Sequence, residues 1–338
     1  MGNMFEYQLI KQMKQHHTIY CATVLQGHYA GQKCIWTDTN MICDDGCQSF
    51  WEQYQEALKY QPIGIVQIQT TCFFVELLTD APKLILLGGG HVSQAVCEVG
   101  KLLEFDVTVV DDRPEFVTKE RFPKADKRIC ESYEQVFSKL SDESNCYYVV
   151  LTRGHLGDEI CVSQILKRNF FYLGMIGSHN KVEKTKENLL RQGFSKQEIH
   201  QIHAPIGLRI GGQTPAEIAI SIAAEIVQQK NRVQAIPFDV SIQRALQTQT
   251  GWKIMTTIID KKGSSPRGVG SKMLVTQQQI YGSIGGGAIE YEVIQTARKQ
   301  PDLLVRSYQL SDADSAYLGM ICGGSVKVLF ERVEEKPN

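Results

Sequence analysis

The chain has 338 residues, enough for two or three domains with cores of their own. Apolar residues make up 43% and charged residues 22%, and the net charge is −1, so no broad basic surface exists to recruit nucleic acid or an anionic membrane. No apolar run reaches the roughly 18 residues that span a bilayer, and Met1–Met13 is polar, without the apolar centre of a secretory signal. The 10 cysteines then point to a reducing cytoplasm rather than to a disulfide framework.

The first 80 residues carry the runs Ala22-Thr23-Val24-Leu25 and Gly31-Gln32-Lys33-Cys34-Ile35-Trp36-Thr37 and a helix-like Phe50–Leu58. Cys43-x-x-x-Cys47 is the only close cysteine pair. It has no His or second pair at zinc spacing, so it reads as structural or incidental.

Lys83-Leu84-Ile85-Leu86-Leu87 reads as a buried parallel strand. Gly88-Gly89-Gly90-His91-Val92-Ser93 follows, then helical apolar spacing over 94–103 and a second strand over 105–110, closed by Asp111-Asp112-Arg113. This is a βαβ opening with a dinucleotide-type glycine fingerprint, in which Ser93 takes the third glycine position. Asp111 lies 23 residues after Gly88, where an acidic side chain can bond a ribose hydroxyl. The context specifies the fold; a bound nucleotide needs more.

The alternation continues. Tyr147–Leu151 is a strand ending at Thr152-Arg153-Gly154-His155-Leu156-Gly157-Asp158, and a helix is expected over Asp158–Arg168. Phe171–Ile176 is the next strand, ending in Gly177-Ser178-His179-Asn180-Lys181. Helices are expected over Lys181–Gln192 and Ser195–Ile202, a short strand or turn over 206–208, and a long apolar helix over Ala216–Gln229 behind Pro215. Strands alternating with helices imply an open, mostly parallel sheet. Ligands of such sheets bind beyond the strand carboxyl ends, which gathers Gly88–His91, Asp111–Arg113, Arg153–Asp158 and Gly177–Lys181 along one edge.

Lys230–Gln234 reads as a linker and Val240–Gln247 as a helix. Three glycine-rich turns follow. They are Gly263-Ser264-Ser265-Pro266-Arg267-Gly268, Gly282-Ser283-Ile284-Gly285-Gly286-Gly287 and Cys322-Gly323-Gly324-Ser325. They lie beside strand-like runs at 254–259, 273–276 and 326–330, with a helix expected over Ile289–Lys299. Glycine lets backbone N–H groups converge and a ligand approach closely. Ser264, Ser265 and Arg267 add hydroxyl donors and a fixed cationic fork that suits a phosphate, and Cys322 adds a soft sulfur ligand. Each turn alone is no more than a tight connection; together they suggest a pocket for an anionic ligand with a soft-metal or sulfur component.

The chain also echoes itself. Gly31–Thr37 resembles Gly270–Thr276, Ala22–Leu25 lines up with Thr256–Ile259, Phe50–Leu58 with Ile289–Ala297, and Cys72–Leu78 with Val326–Val333. The first copy lacks the Ser-Ser-Pro-Arg turn, the triple glycine and the Cys-Gly-Gly. The reading is a degenerate duplicate, with the two copies sharing a fold and packing as a pseudo-dimer. The expected fold class is α/β: a Rossmann-like, mostly parallel sheet domain (81–235) plus a smaller α+β domain (236–338) with a degenerate N-terminal copy (1–80).

The Gly263–Arg267, Gly282–Glu290 and Cys322–Gly324 runs resemble the small domain of the XdhC/CoxI proteins. Gly88–His91, Val110–Arg113, Thr152–His155, Met175–Ser178 and Pro205–Glu217 resemble their Rossmann-like domain. The likeness covers residues 81–333, with the small domain last rather than first. It implies an accessory factor for xanthine dehydrogenase and related molybdenum hydroxylases, one that binds molybdenum cofactor, supports its sulfuration and inserts it into the apo-enzyme. It implies a place in purine catabolism, with an apo molybdenum hydroxylase as partner and a cysteine desulfurase as a further candidate. A homodimer, the small domain of one chain facing the sheet of another, would complete a shared cleft. Such a factor is a cofactor chaperone rather than a catalyst.

On that reading Ser264, Ser265, Arg267, Gly285, Gly286 and Gly287 hold the phosphate or pterin, Glu290 bonds a pterin amide edge, and Cys322 ligates the metal or accepts sulfur. Gly88, Gly90, His91, Asp111, Arg153, His155 and Ser178 are the cofactor-binding candidates of the Rossmann-like domain. The bland readings stand beside these: Glu290 and Glu217 suit the first turn of a helix, and Asp158 suits an N-cap. His179 and Lys181 suit either a phosphate site or a solvated strand end. His16, His17, His200 and His203 lack companions at metal spacing and read as surface residues. The competing reading is an NAD(P)-dependent oxidoreductase, which lacks an evident hydride-transfer constellation. A xanthine dehydrogenase proper is excluded on content, because no cysteines cluster at iron–sulfur spacing.

Overall fold

The computed structural model describes residues 5–15, 18–37, 41–43, 47–59, 61–140, 142–143, 145–232, 236–263, 267–309 and 324–333. The chain separates into two units, residues 1–80 with 234–338, and residues 81–233. The first and last expected domains thus fall in one unit.

The first unit begins with α1 (Phe5–Gln15), β1 (Thr18–Val24), β2 (Lys33–Trp36), β3 (Met41–Cys43), α2 (Gln48–Glu52), α3 (Gln55–Leu58), β4 (Gly64–Ile68) and β5 (Thr71–Thr79). Its strands pair antiparallel in the order β4-β5-β1-β2-β3.

The second unit holds β6 (Lys83–Leu87), α4 (His91–Leu102), β7 (Asp106–Asp111), β8 (Lys127–Cys130), β9 (Cys146–Val150), α5 (His155–Ile165), β10 (Tyr172–Met175), α6 (His179–Arg191), α7 (Lys196–His200), β11 (Ile202–His203) and α8 (Pro215–Lys230). All its strand pairs are parallel, in the order β11-β10-β9-β6-β7-β8. Strand side chains alternate between two cores. Ile85, Leu87, Tyr148 and Val150 meet Cys161, Val162 and Ile165 of α5 and Val182 and Leu189 of α6. Leu84, Leu86, Tyr147 and Val149 meet Val96 and Cys97 of α4 and Ala219, Ile222 and Ile226 of α8. A sheet covered on both faces needs apolar residues at every strand position, which is why Lys83–Leu87 lacks polar alternation. The order reverses between β6 and β9, so the ligand crevice of a doubly wound sheet opens there.

The chain then returns to the first unit with β12 (Ile236–Pro237), α9 (Val240–Thr248), β13 (Lys253–Lys262), β14 (Lys272–Thr276), β15 (Ile280–Gly282), α10 (Gly287–Ala297), β16 (Leu303–Gln309) and β17 (Ser325–Val333). The order β16-β17-β13-β14-β15 repeats that of β1–β5, and β12 adds a sixth strand, parallel to β5, to the first sheet. The register repeats too: Cys21 faces Glu76 and Thr23 faces Lys33, as Met255 faces Glu331 and Thr257 faces Lys272. Gly31 and Gly270 both have φ +88, and their amides donate to Val24 and Ile258, equivalent carbonyls at 2.8 and 2.7 Å.

The two halves bury equivalent residues against each other. Cys21 and Met255, Ile35 and Leu274, and Leu78 and Val333 share one core with α1 and α9. Phe74 and Leu329 share a second with Ile259. The opposite face of each sheet is covered by its own helices, α2 and α3 in the first half and α10 in the second.

Candidate functional site

In the second unit the three glycines after β6 answer to different causes. Gly88 has φ +115, and a Cβ there would stand 2.3 Å from the Leu151 carbonyl oxygen, where the β6 and β9 ends press together. A Cβ on Gly89 would stand 2.2 Å from the Phe116 carbonyl oxygen. Gly90 has no atom within 4 Å of its Cβ position, so only this glycine faces open space. Ser93 fits the third glycine position because it is buried and its hydroxyl donates to the Gly88 carbonyl.

Gly90 is the N-cap of α4 and Gly154 the N-cap of α5, and neither supplies a side-chain cap. Gly154 has φ +90 and also faces open space. α5 starts three residues before the expected Asp158, because Gly154 can make the sharp entry a side chain would resist. Two glycine-capped helix starts thus follow β6 and β9, the strands that flank the reversal of strand order. Their first-turn amides give this edge positive character. His91 and Arg153 beside them are exposed.

Asp111 is fully buried at the end of β7. Its Oδ1 accepts from the Arg113 amide (3.1 Å) and Nε (2.9 Å), and its Oδ2 from the Gly89 amide (2.7 Å) and the Arg113 guanidinium (3.0 Å). Burial pushes the carboxyl pKa up, but these donors outweigh it and hold it below the ordinary value. A carboxylate with four donors has little left for a ribose hydroxyl. Arg113 also lies over the Phe116 ring, 3.6 Å from its centroid, and Arg121 approaches the same ring at 4.8 Å.

Asp158 is not an N-cap. It is buried in the first turn of α5, accepts from the Thr152 hydroxyl at 2.6 Å and is ion-paired with Lys181 of α6. Burial pushes its pKa up, and Lys181 and Thr152 only partly offset this. Lys181, read from sequence as a phosphate ligand or a solvated side chain, instead ties two helix starts together. Ser178 is the N-cap of α6 and accepts from the Lys181 amide. His155 opens α5.

One cluster escaped sequence reasoning. Glu225, on α8, accepts from the Tyr172 hydroxyl (2.7 Å) and the Gly207 amide (2.7 Å), and it pairs with His203 Nδ1 at 3.1 Å. His203 stacks on Tyr172, with ring centroids 4.7 Å apart, so it has a carboxylate companion after all, 22 residues downstream. The available signal was a lone carboxylate inside the apolar run Ile222–Val227. Residues 206–208, expected as a short strand or turn, follow this edge as a bend at Gly207, where φ is +98.

In the first unit Ser264, Ser265 and Cys322 lie outside the described residues, and Arg267 is exposed. The Gly282–Gly287 turn is organised from within. Glu290 Oε2 accepts from the Ser283 hydroxyl (2.6 Å) and the amides of Ile284 and Gly286 (both 3.0 Å), and the Gly285 amide donates to Ser283 Oγ at 3.1 Å. Burial raises the Glu290 pKa, and the Ser283 and backbone donors more than reverse that. Two of the three glycine amides expected to meet a ligand, those of Gly285 and Gly286, are thus spent on the turn itself. Gly286 and Gly287 have positive φ and open space at the Cβ position. In the first half Trp51 occupies the place of Glu290, four residues after the N-cap, and Tyr29 stacks on Phe50 at 4.2 Å.

Among the described residues no group of three metal-ligating side chains comes together, and no helix is long and apolar enough to cross a membrane.

A family model described as the XdhC Rossmann domain matches residues 84–226, and one described as the XdhC and CoxI family matches residues 253–304. The uncharacterized protein YqeB of Escherichia coli K12 is 32% identical over 159 residues, 47% of this chain and 29% of that protein. A probable xanthine dehydrogenase component of Bacillus subtilis 168 is 33% identical over 168 residues, 50% of this chain and 49% of that protein. The matched stretch therefore spans less than half of either relative. A crystal structure of a xanthine dehydrogenase from Bacillus halodurans aligns with TM-score 0.54 at 18% identity, over 67% of this chain and 66% of that one, a likeness of fold.

Proposed function

The chain belongs to the XdhC/CoxI family, and from that premise we propose that it serves a xanthine dehydrogenase-type molybdenum hydroxylase as an accessory protein that binds molybdenum cofactor, supports its sulfuration and inserts it into the apo-enzyme. The observation that carries this reading is the pair of glycine-capped helix starts at Gly90 and Gly154, on strands that flank the reversal of strand order. Open space at both Cβ positions leaves room for an anionic group against the first-turn amides. That fits the terminal phosphate of the cofactor, with His91 and Arg153 as exposed neighbours.

Within the first unit, taken by itself, Arg267, Gly287 and Cys322 are the candidates for holding the cofactor. When bound, the cofactor supplies a soft metal with sulfur ligands, which suits a thiol. This chain's own part is to bind, orient and shield. The nucleotide-dependent oxidoreductase draws no support from Asp111, whose carboxylate is occupied by Arg113 and Gly89.

Cofactor retention tests the reading. Wild type, Cys322→Ala and Arg153→Ala proteins are incubated without oxygen with molybdenum cofactor released from a denatured molybdoenzyme, then gel-filtered. Near-stoichiometric molybdenum and pterin fluorescence in the wild-type peak, reduced in the variants, is the expected result. Retention by all three alike places the cofactor elsewhere on the chain, and retention by none removes the carrier role.

A further inference from the structure

The register of the first sheet brings two thiols together that sequence spacing does not. Cys34 of β2 lies directly opposite Cys43 of β3 in an antiparallel pair. Residues so paired have Cα atoms about 4.5–5.5 Å apart and point to the same face, inside the roughly 4.4–6.8 Å that a disulfide spans. Sequence spacing pairs Cys43 with Cys47 instead. Cys47 is the N-cap of α2, and its thiol donates to the Gln32 side chain at 3.3 Å. The equivalent pair in the second half is Met273 opposite Gly282, so this thiol pair belongs to the first half alone.

The two cysteines differ in access. Cys34 is 1% exposed, beside Trp36, Met41 and Trp51, whereas Cys43 is partly exposed on β3, a strand at the edge of the sheet. An accessible thiol directly across the ladder from a buried one is the arrangement of an attacking and a resolving cysteine.

We propose that Cys34 and Cys43 are a peroxide-responsive thiol pair that closes to a cross-strand disulfide. The Cys43 thiolate attacks one peroxide oxygen, the O–O bond breaks, and the leaving hydroxide takes up the thiol proton as water. The Cys34 thiolate then attacks the Cys43 sulfur of the resulting sulfenic acid, the S–O bond breaks, and a second water leaves. Two thiols supply the two electrons that reduce one hydrogen peroxide. The bond staples the edge strand β3 to β2, and a dithiol reductant reopens it. This proposal is independent of the cofactor reading.

The test is oxidation of the full chain with hydrogen peroxide, alkylation of remaining thiols, and mapping of linked peptides. Trypsin is unsuitable, because no Lys or Arg lies between Cys34 and Leu58 and all three cysteines stay on one peptide. Cleavage before Asp38, Asp44 and Asp45 separates them. The expected product is a peptide pair joined through Cys34 and Cys43, reversed by dithiothreitol, unchanged in Cys47→Ser and abolished in Cys34→Ser. Wild-type protein whose link joins Cys43 to Cys47, or whose thiols go to sulfinic acid without linking, overturns the proposal. The wild-type and Cys47→Ser maps decide it even if Cys34→Ser does not fold.

Discussion

Lys33 and Glu331 lie 3.1 Å apart across the two halves of the first unit, and Lys272 and Glu76, their counterparts in the opposite halves, lie 2.8 Å apart. The same bond is made twice, once in each direction, as a two-fold requires. All four side chains are no more than 12% exposed, so their charges have left water. Removing one partner strands a buried charge, whereas replacing both with apolar side chains removes the penalty with the bond. Glu331→Gln is therefore expected to lower unfolding free energy by about 3–5 kcal/mol. The double variant Lys33→Met, Glu331→Leu should recover most of that loss. Urea unfolding of the single and double variants measures the coupling, and additive losses would mean the pair does not act as one.

Gly88 and Gly90 are expected to part company under the same substitution. At Gly88 a methyl group would stand 2.3 Å from the Leu151 carbonyl oxygen on a backbone with φ +115, so Gly88→Ala should fail to fold its unit. At Gly90 φ is −72 and the space is open, so Gly90→Ala should cost about 1 kcal/mol or less. Thermal melting followed by circular dichroism separates the two. Because Gly90→Ala leaves the fold standing, a weakened phosphate titration in that variant reports close approach of an anion to α4.

Much of this was legible in residues and some was not. Lys83–Leu87 declared its burial, and the glycine run declared the turn after it. What no single sequence displays is how donors are spent. Ser283, Gly285 and Gly286 look like a vacant nest until Glu290 is seen to occupy it. The likeness of Gly31–Thr37 to Gly270–Thr276 exposed the duplication through short-range pattern. The crossing of Lys33 to Glu331 depends on a symmetry axis, which leaves no local trace. Glu225 and His203 meet for the same reason: helix and strand converge only in the fold.

Glu290 should make the glycine turn acid-sensitive. Its folded pKa lies below the ordinary 4.5, so its contribution is whole above about 4.5 and drains as pH falls through the lower folded value. Glu290→Gln keeps the shape but weakens the acceptor for Ser283 and two amides, which should cost about 1–3 kcal/mol at pH 7. The gap from wild type should narrow below pH 4. Unfolding in urea at both pH values checks this, and an equal gap at each would show that the charge is not what holds the turn.

Asp158 carries the opposite sign. Burial raises its pKa above the ordinary 3.8, so the folded chain holds this proton more tightly than the unfolded chain does. Such a group costs stability as pH climbs past 3.8, and the full cost is reached above its folded pKa. Lys181 limits that cost by standing against the carboxylate. In Lys181→Met the buried charge has only the Thr152 hydroxyl, so the loss should reach about 3–5 kcal/mol near pH 8. It should shrink toward pH 5, where the variant can take up a proton. Adding Asp158→Asn, which cannot ionise, should flatten the pH dependence and return about half of the loss. If Lys181→Met loses the same amount at pH 5 and pH 8, the lysine acts by packing, and the ion pair is incidental to how α5 and α6 are joined.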